Sequence, residues 1–166
     1  MRSLVVYYSR TGNTKAVGEE IARELGAKRD EIIDLKKRTG LRPIRWIIAG
    51  KDAWQRKLTK IKFGESPEEY DMIIVGTPVW AGKMTPAVRT YLTSHDLNGK
   101  NLGFFSTALR DSGKPFEEME KLAPGASIIG TLGLRASEIR SGSYREKVRS
   151  FVKALRESTK TAAREA

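Results

Sequence analysis

The chain has 166 residues, no cysteine and a formal net charge of +11. That length suits one compact domain, 1–166, with a real hydrophobic core. The missing thiols exclude disulfide staples, thiolate metal sites and any cysteine nucleophile, and they fit a reducing compartment.

Leu4-Val5-Val6-Tyr7-Tyr8 is an unbroken run of strand formers, and polar Ser9 and Arg10 follow at once. The apolar run is too short for a signal peptide or a membrane span, so a soluble, cytoplasmic protein is expected. From Thr14 a helical pattern begins: Val17, Ile21 and Leu25 recur every four residues, and Gly26 stands where a C-terminal cap belongs. Glu31–Leu35 reads as a second strand. Thr39-Gly40 marks a turn, and Pro43 suits the first turn of a new helix. In that helix Ile44, Ile47, Ile48, Trp54, Leu58 and Ile61 share one face. Trp54 is therefore assigned to the core. Trp46 falls off that face, which leaves it either at an interface or half-buried beside a loop.

Met72–Gly76 is a third strand, apolar throughout as a strand covered on both faces should be. A loop over 77–85 precedes a helix from Pro86 to Thr93, after which a lone His95 is expected to be exposed. Asn101–Phe105 is a fourth strand, Ser106–Lys114 a long loop, Pro115–Leu122 a short helix and Ser127–Leu134 a fifth strand. The last helix opens with the capping box Ser143-x-x-Glu146 and buries Val148, Phe151, Val152 and Leu155. From 156 to 166 the chain is polar and reads as a frayed tail. Five alternations of strand and helix predict an α/β fold: a three-layer αβα sandwich around a five-stranded parallel sheet. In such sheets ligands bind at the carboxyl ends of the strands, which directs attention to the loops after the first, third and fourth strands.

The first of these loops is Ser9-Arg10-Thr11-Gly12-Asn13-Thr14. Hydroxyls at 9, 11 and 14, the amide of Asn13 and a close-approach Gly12 meet at a helix N-terminus, which favours a phosphate. The loop matches neither a Walker A motif nor the Gly-x-Gly-x-x-Gly dinucleotide pattern, and a phosphatase loop would need a cysteine. The second loop, Thr77-Pro78-Val79-Trp80-Ala81-Gly82, places an aromatic residue where it either stacks on a flat ligand or folds back into the core.

These two loops resemble the phosphate loop and the second flavin loop of the flavodoxins and flavodoxin-like FMN proteins, and the likeness covers nearly the whole chain. It implies strand order 2-1-3-4-5, FMN as cofactor, and its phosphate on Ser9, Thr11, Asn13 and Thr14. It implies a flavin ring between the second loop and a third, which supplies Ser106, Thr107, Ala108, Ser112 and Gly113. It also implies that a carbonyl at Ala81 or Gly82 turns to meet the flavin. The third loop departs from the family in having no aromatic residue.

The charge departs from it too. Between Lys36 and Lys62 stand ten Lys or Arg against one acid, Asp52, a net of +9. Many flavodoxins are acidic. The segment suggests an acidic redox partner or another polyanion, or else a solvated helix face. Arg10, Lys83 and Arg110 are expected to surround the flavin and make its reduction easier. Two functions stay open: electron transfer through bound FMN to a partner or small acceptor, and an FMN-dependent NAD(P)H:quinone-type oxidoreductase. A flavin-free nucleic-acid-binding module would leave the Ser9–Thr14 loop and Trp80 unexplained.

Overall fold

The computed structural model describes residues 1–36, 42–110 and 114–165. Its centre is strand β1 (Ser3–Tyr8), which pairs in parallel with β2 (Lys28–Asp34) on one side and β4 (Met72–Pro78) on the other. β5 (Asn101–Ala108) and β6 (Ser127–Arg135) extend the sheet, again in parallel. Side chains alternate across the strands. Leu4, Val6, Ile73, Val75 and Phe104 enter one core, and Val5, Tyr7, Met72, Ile74 and Phe105 enter the other. The first core is roofed by α2 (Arg42–Trp54), α3 (Pro86–Ser94) and α4 (Pro115–Lys121), the second by α1 (Asn13–Leu25) and α6 (Tyr144–Glu165). The expected three layers are present.

One glycine shows how tightly the sheet packs. A Cβ on Gly76 would lie 2.0 Å from the ring of Phe105, which covers the bare backbone of the neighbouring strand. Removing that ring by Phe105→Ala would cost about 3–5 kcal/mol, the usual range for a buried aromatic.

Several expectations are corrected. The sheet has six strands, in the order β3-β2-β1-β4-β5-β6. The extra strand, β3 (Ile61–Lys62), is two residues long and pairs antiparallel with the edge of β2. Setting β3 aside, the five parallel strands keep the expected order. Ile61 therefore belongs to the sheet, and the helix before it stops at Trp54, where Arg56 turns left-handed at φ 54°. Trp54 is 67% exposed and not in the core. His95, by contrast, is sheltered: its ring packs on Phe63 and Tyr91, and its Nδ1 lies 3.0 Å from Glu68. A short helix not expected, α5 (Ala136–Ser141), links β6 to α6. The Ser143 hydroxyl engages Ser141 at 3.0 Å, beside the end of α5. The backbone from Arg156 to Glu165 continues α6 as helix. The expected turn at Thr39-Gly40 lies outside the described residues.

Candidate functional site

The carboxyl ends of β1, β4 and β5 meet at one edge, and the loops leaving them surround a cavity of about 300 Å³. That is at the lower end for small-molecule sites. The first loop runs directly into α1. Gly12, at φ 94°, takes the left-handed conformation that a side chain would oppose, and the helix starts at Asn13. The backbone N–H groups of Gly12 and Lys15 both donate to the Ser9 hydroxyl, each at 3.2 Å. The loop thus converges its donors on a single oxygen at the positive end of a helix dipole. Thr14 is buried, and its hydroxyl shares a hydrogen with that of Thr107 on β5 at 2.8 Å. Each threonine has one hydroxyl hydrogen, so the pair retains a second one for an acceptor in the site.

The second loop is a clasp followed by a hairpin. The Thr77 hydroxyl accepts from the Thr85 N–H at 3.1 Å and donates to the Pro78 carbonyl at 2.9 Å, closing the two ends of the loop. Between them Trp80 and Lys83 exchange two backbone hydrogen bonds of 3.0 Å. Ala81 (φ 50°) and Gly82 (φ 74°) form the turn, with the positive φ at both central residues that a two-residue hairpin favours. Trp80 is held from beneath by an edge-to-face contact with Tyr8, centroids 5.7 Å apart. Arg10 brings its guanidinium within 4.4 Å of the Trp46 ring and 5.3 Å of the Trp80 ring, so a cation lies within reach of both indoles.

The turn is tethered on its far side by charge. Glu118 of α4 accepts from Lys83 at 2.7 Å, Arg89 at 2.8 Å and Arg56 at 3.1 Å. Burial pushes the Glu118 carboxyl up, but the hydrogen bonds and charges of Lys83 and Arg89 outweigh it and hold the group below its ordinary value. Lys83 is therefore committed to Glu118, and the expectation that its charge serves the cavity is corrected.

Of the residues expected to form the site, Arg10, Thr11, Asn13, Pro78, Val79, Trp80, Thr107 and Ala108 line the cavity. Ser9, Thr14 and Thr77 stand behind them and fix the loops, and Ser106 is wholly buried in β5. Ala81 and Gly82 shape the hairpin beside it. Ser112 and Gly113 lie outside the described residues. Four lining residues were not assigned to the site: Trp46 from α2, Leu109, and Ala136 and Arg140 one turn apart on α5. An adjoining cavity of about 360 Å³ adds Arg45 beside Arg10, Thr11 and Trp46. The loop after the last strand sits at the same sheet edge as the others, and that rule could have found Ala136 and Arg140.

A doubly wound parallel sheet with a hydroxyl-rich anion loop at its first helix and an aromatic cavity beside it defines a flavodoxin-like α/β protein. The flavodoxin domain model matches residues 44–164, and the chain belongs to that family. No curated protein matches the sequence. Among solved structures, the chain is similar to a flavoprotein in complex with FMN from Lactobacillus acidophilus NCFM. That match has 24% identity, covers 86% of this chain and 98% of the other, and has a TM-score of 0.69. It is also similar to oxidised flavodoxin 2 from Bacillus cereus, at 21% identity, 95% and 99% coverage and a TM-score of 0.61. A flavodoxin from Streptococcus pneumonia TIGR4 matches at 20% identity, 95% and 99% coverage and a TM-score of 0.55. At these identities the likeness is one of fold.

Proposed function

We propose that this chain binds FMN in the cavity and transfers electrons through it to a redox partner or a small acceptor in the cytoplasm. One observation carries the reading: the N–H groups of Gly12 and Lys15 converge on the Ser9 hydroxyl oxygen at the mouth of α1, beside an aromatic cavity. The donor set suits the cofactor. Ser9, Thr11, Asn13 and Thr14 would hold the phosphate, with Arg10 and Arg45 adding positive charge from the adjoining cavity. Trp80, Trp46, Val79 and Leu109 supply flat and apolar surface for a ring. Bound FMN would supply the redox chemistry, and the protein the geometry and electrostatics around it. Arg10 and Arg140 favour added negative charge in the cavity.

The test compares FMN with riboflavin, which lacks the phosphate. FMN should bind far more tightly, and Thr11→Ala should weaken FMN by about 10- to 100-fold, the worth of a hydrogen bond to a charged group. Equal affinity for the two flavins would remove the phosphate assignment, and purified protein without a visible flavin band would remove the cofactor.

An NAD(P)H:quinone-type activity is the second reading. Leu109, on the cavity rim, is 76% exposed, which favours access for a small acceptor from that side. Oxidation of NAD(P)H by the holoprotein with a quinone present distinguishes this enzyme from a carrier.

A further inference from the structure

Helix α2 turns its large apolar side chains outward. Its inner side is made of Ala49, Ala53 and the buried carboxylate of Asp52, which is held by Lys36 at 2.6 Å and Lys57 at 3.6 Å. Its outer side carries Ile44, Ile47, Lys51 and Trp54, spaced three, four and three residues apart and so aligned in one stripe. Ile47 is 70% exposed, Trp54 67% and Ile44 49%, and Leu58 just past the helix is 60% exposed. Nine large apolar residues are exposed among the described residues; Ile44, Ile47 and Trp54 lie on this outer side of α2 and Leu58 just past it, while Trp46 faces the cavity. This is a patch, and patches of this kind mark contact surfaces. Exposed Lys51 stands within the stripe, and exposed Arg56, Lys57 and Lys60 follow it in the chain.

Charge narrows the occupant. A second copy would bring two +9 segments face to face. An acidic protein would satisfy the bases, but it gives no specific reason for a bare aliphatic and indole stripe at the centre of the patch. An anionic bilayer satisfies both: headgroups meet the bases, and the acyl boundary takes Ile, Leu and Trp. None of the described helices is long and apolar enough to cross a membrane, which leaves a surface mode. We propose that α2 and the turn after it dock this protein onto an anionic lipid surface, with Ile44, Ile47, Trp54 and Leu58 entering the headgroup boundary.

The experiment is co-sedimentation of the intact protein with phosphatidylcholine vesicles, with and without phosphatidylglycerol, over a range of salt. Binding should require the anionic lipid and weaken as salt rises. Ile47→Ser and Trp54→Ser should each lower it by about tenfold or more, and Lys51→Glu by a similar factor, with circular dichroism unchanged. No binding to the anionic vesicles at low salt overturns the proposal. So does binding indifferent to Ile47→Ser and Trp54→Ser, which would make the attraction purely electrostatic. A dimer in light scattering that Ile47→Ser dissolves would instead assign the face to a second copy. Tighter binding to polyglutamate than to vesicles, equally sensitive to Ile47→Ser, would assign it to an acidic protein.

Discussion

Helices α1 and α2 are each 13 residues long, and both follow a strand that rises toward the same edge of the sheet. They use their side chains in opposite ways. α1 buries Val17, Ile21 and Ala22 against the sheet and keeps its charges off that face; exposed Arg23 pairs with Glu20 and Glu24. α2 puts alanines and a charged carboxylate inside and Ile44, Ile47 and Trp54 outside. For α1 the hydrophobic effect is a reason to fold. For α2 much of that driving force is unspent in the monomer and remains for whatever covers the helix.

Substitution should expose the difference most strongly in α1. Ile21→Ala removes a fully buried side chain and should cost about 2–5 kcal/mol in denaturant unfolding. A cost below 1 kcal/mol would mean that α1 is not the anchored member of the pair.

Inside α2 the anchor is polar, and Asp52 is the next test. Asp52→Ala should cost about 1.5–3 kcal/mol, as for hydrogen bonds to a charged group, because Lys36 and Lys57 still reach water when their partner is gone. Lys57→Glu would set a second carboxylate beside Asp52, so it disturbs the helix as well as the surface charge. Thermal unfolding of both variants sharpens the point: unchanged stability would show that the small-residue side alone seats the helix.

Acid should release a smaller contribution. Glu118 ties the turn of α2, through Arg56, to the second cavity loop, through Lys83. Its carboxyl lies below the ordinary value when folded, so its stabilising effect is complete above the usual carboxylate range. That effect is lost as pH falls through the depressed value. Glu118→Gln should flatten this part of the stability–pH curve, and a curve of unchanged shape would show that the tether contributes little. The smallest effect belongs to the outer face of α2. Ile47→Ala should change stability by no more than about 0.5 kcal/mol. A loss matching that of Ile21→Ala would show that the face is already covered.

The same contrast separates what was legible in the sequence from what was not. Met72–Val75 announces a buried strand because both of its faces meet helices, and Val17, Ile21 and Leu25 fall on a stripe turned to the core. In α2 the periodicity of Ile44, Ile47 and Trp54 is equally clear. Periodicity, however, shows that a helix has two faces and not which one meets the sheet, and Trp54, apolar and on the stripe, lies outward at 67% exposure. β3 holds two residues and gives no period at all. His95 is sheltered by Tyr91, four residues earlier on α3, and by Phe63, which reaches it from a distant part of the chain and leaves no mark beside it in the sequence. At the site, the loops after β1, β4 and β5 were legible because glycines and hydroxyls interrupt apolar strands there. Ala136 and Arg140 follow the last strand at that same edge, but no glycine or hydroxyl cluster marks them, and Trp46 reaches the cavity from a helix whose placement no local pattern gives.

The contact between Gly76 and Phe105 also constrains how this sequence can drift. The two positions are distant along the chain, yet one space serves both, since a Cβ at 76 and the ring at 105 would fall 2.0 Å apart. A change at either is judged against the other. A relative that carries a side chain at the first position should carry something smaller than phenylalanine at the second, and a lineage reaches that pair most readily by shrinking the ring before the glycine gains its carbon. In an alignment the two columns should covary, and their neighbours on β4 and β5 should vary more independently.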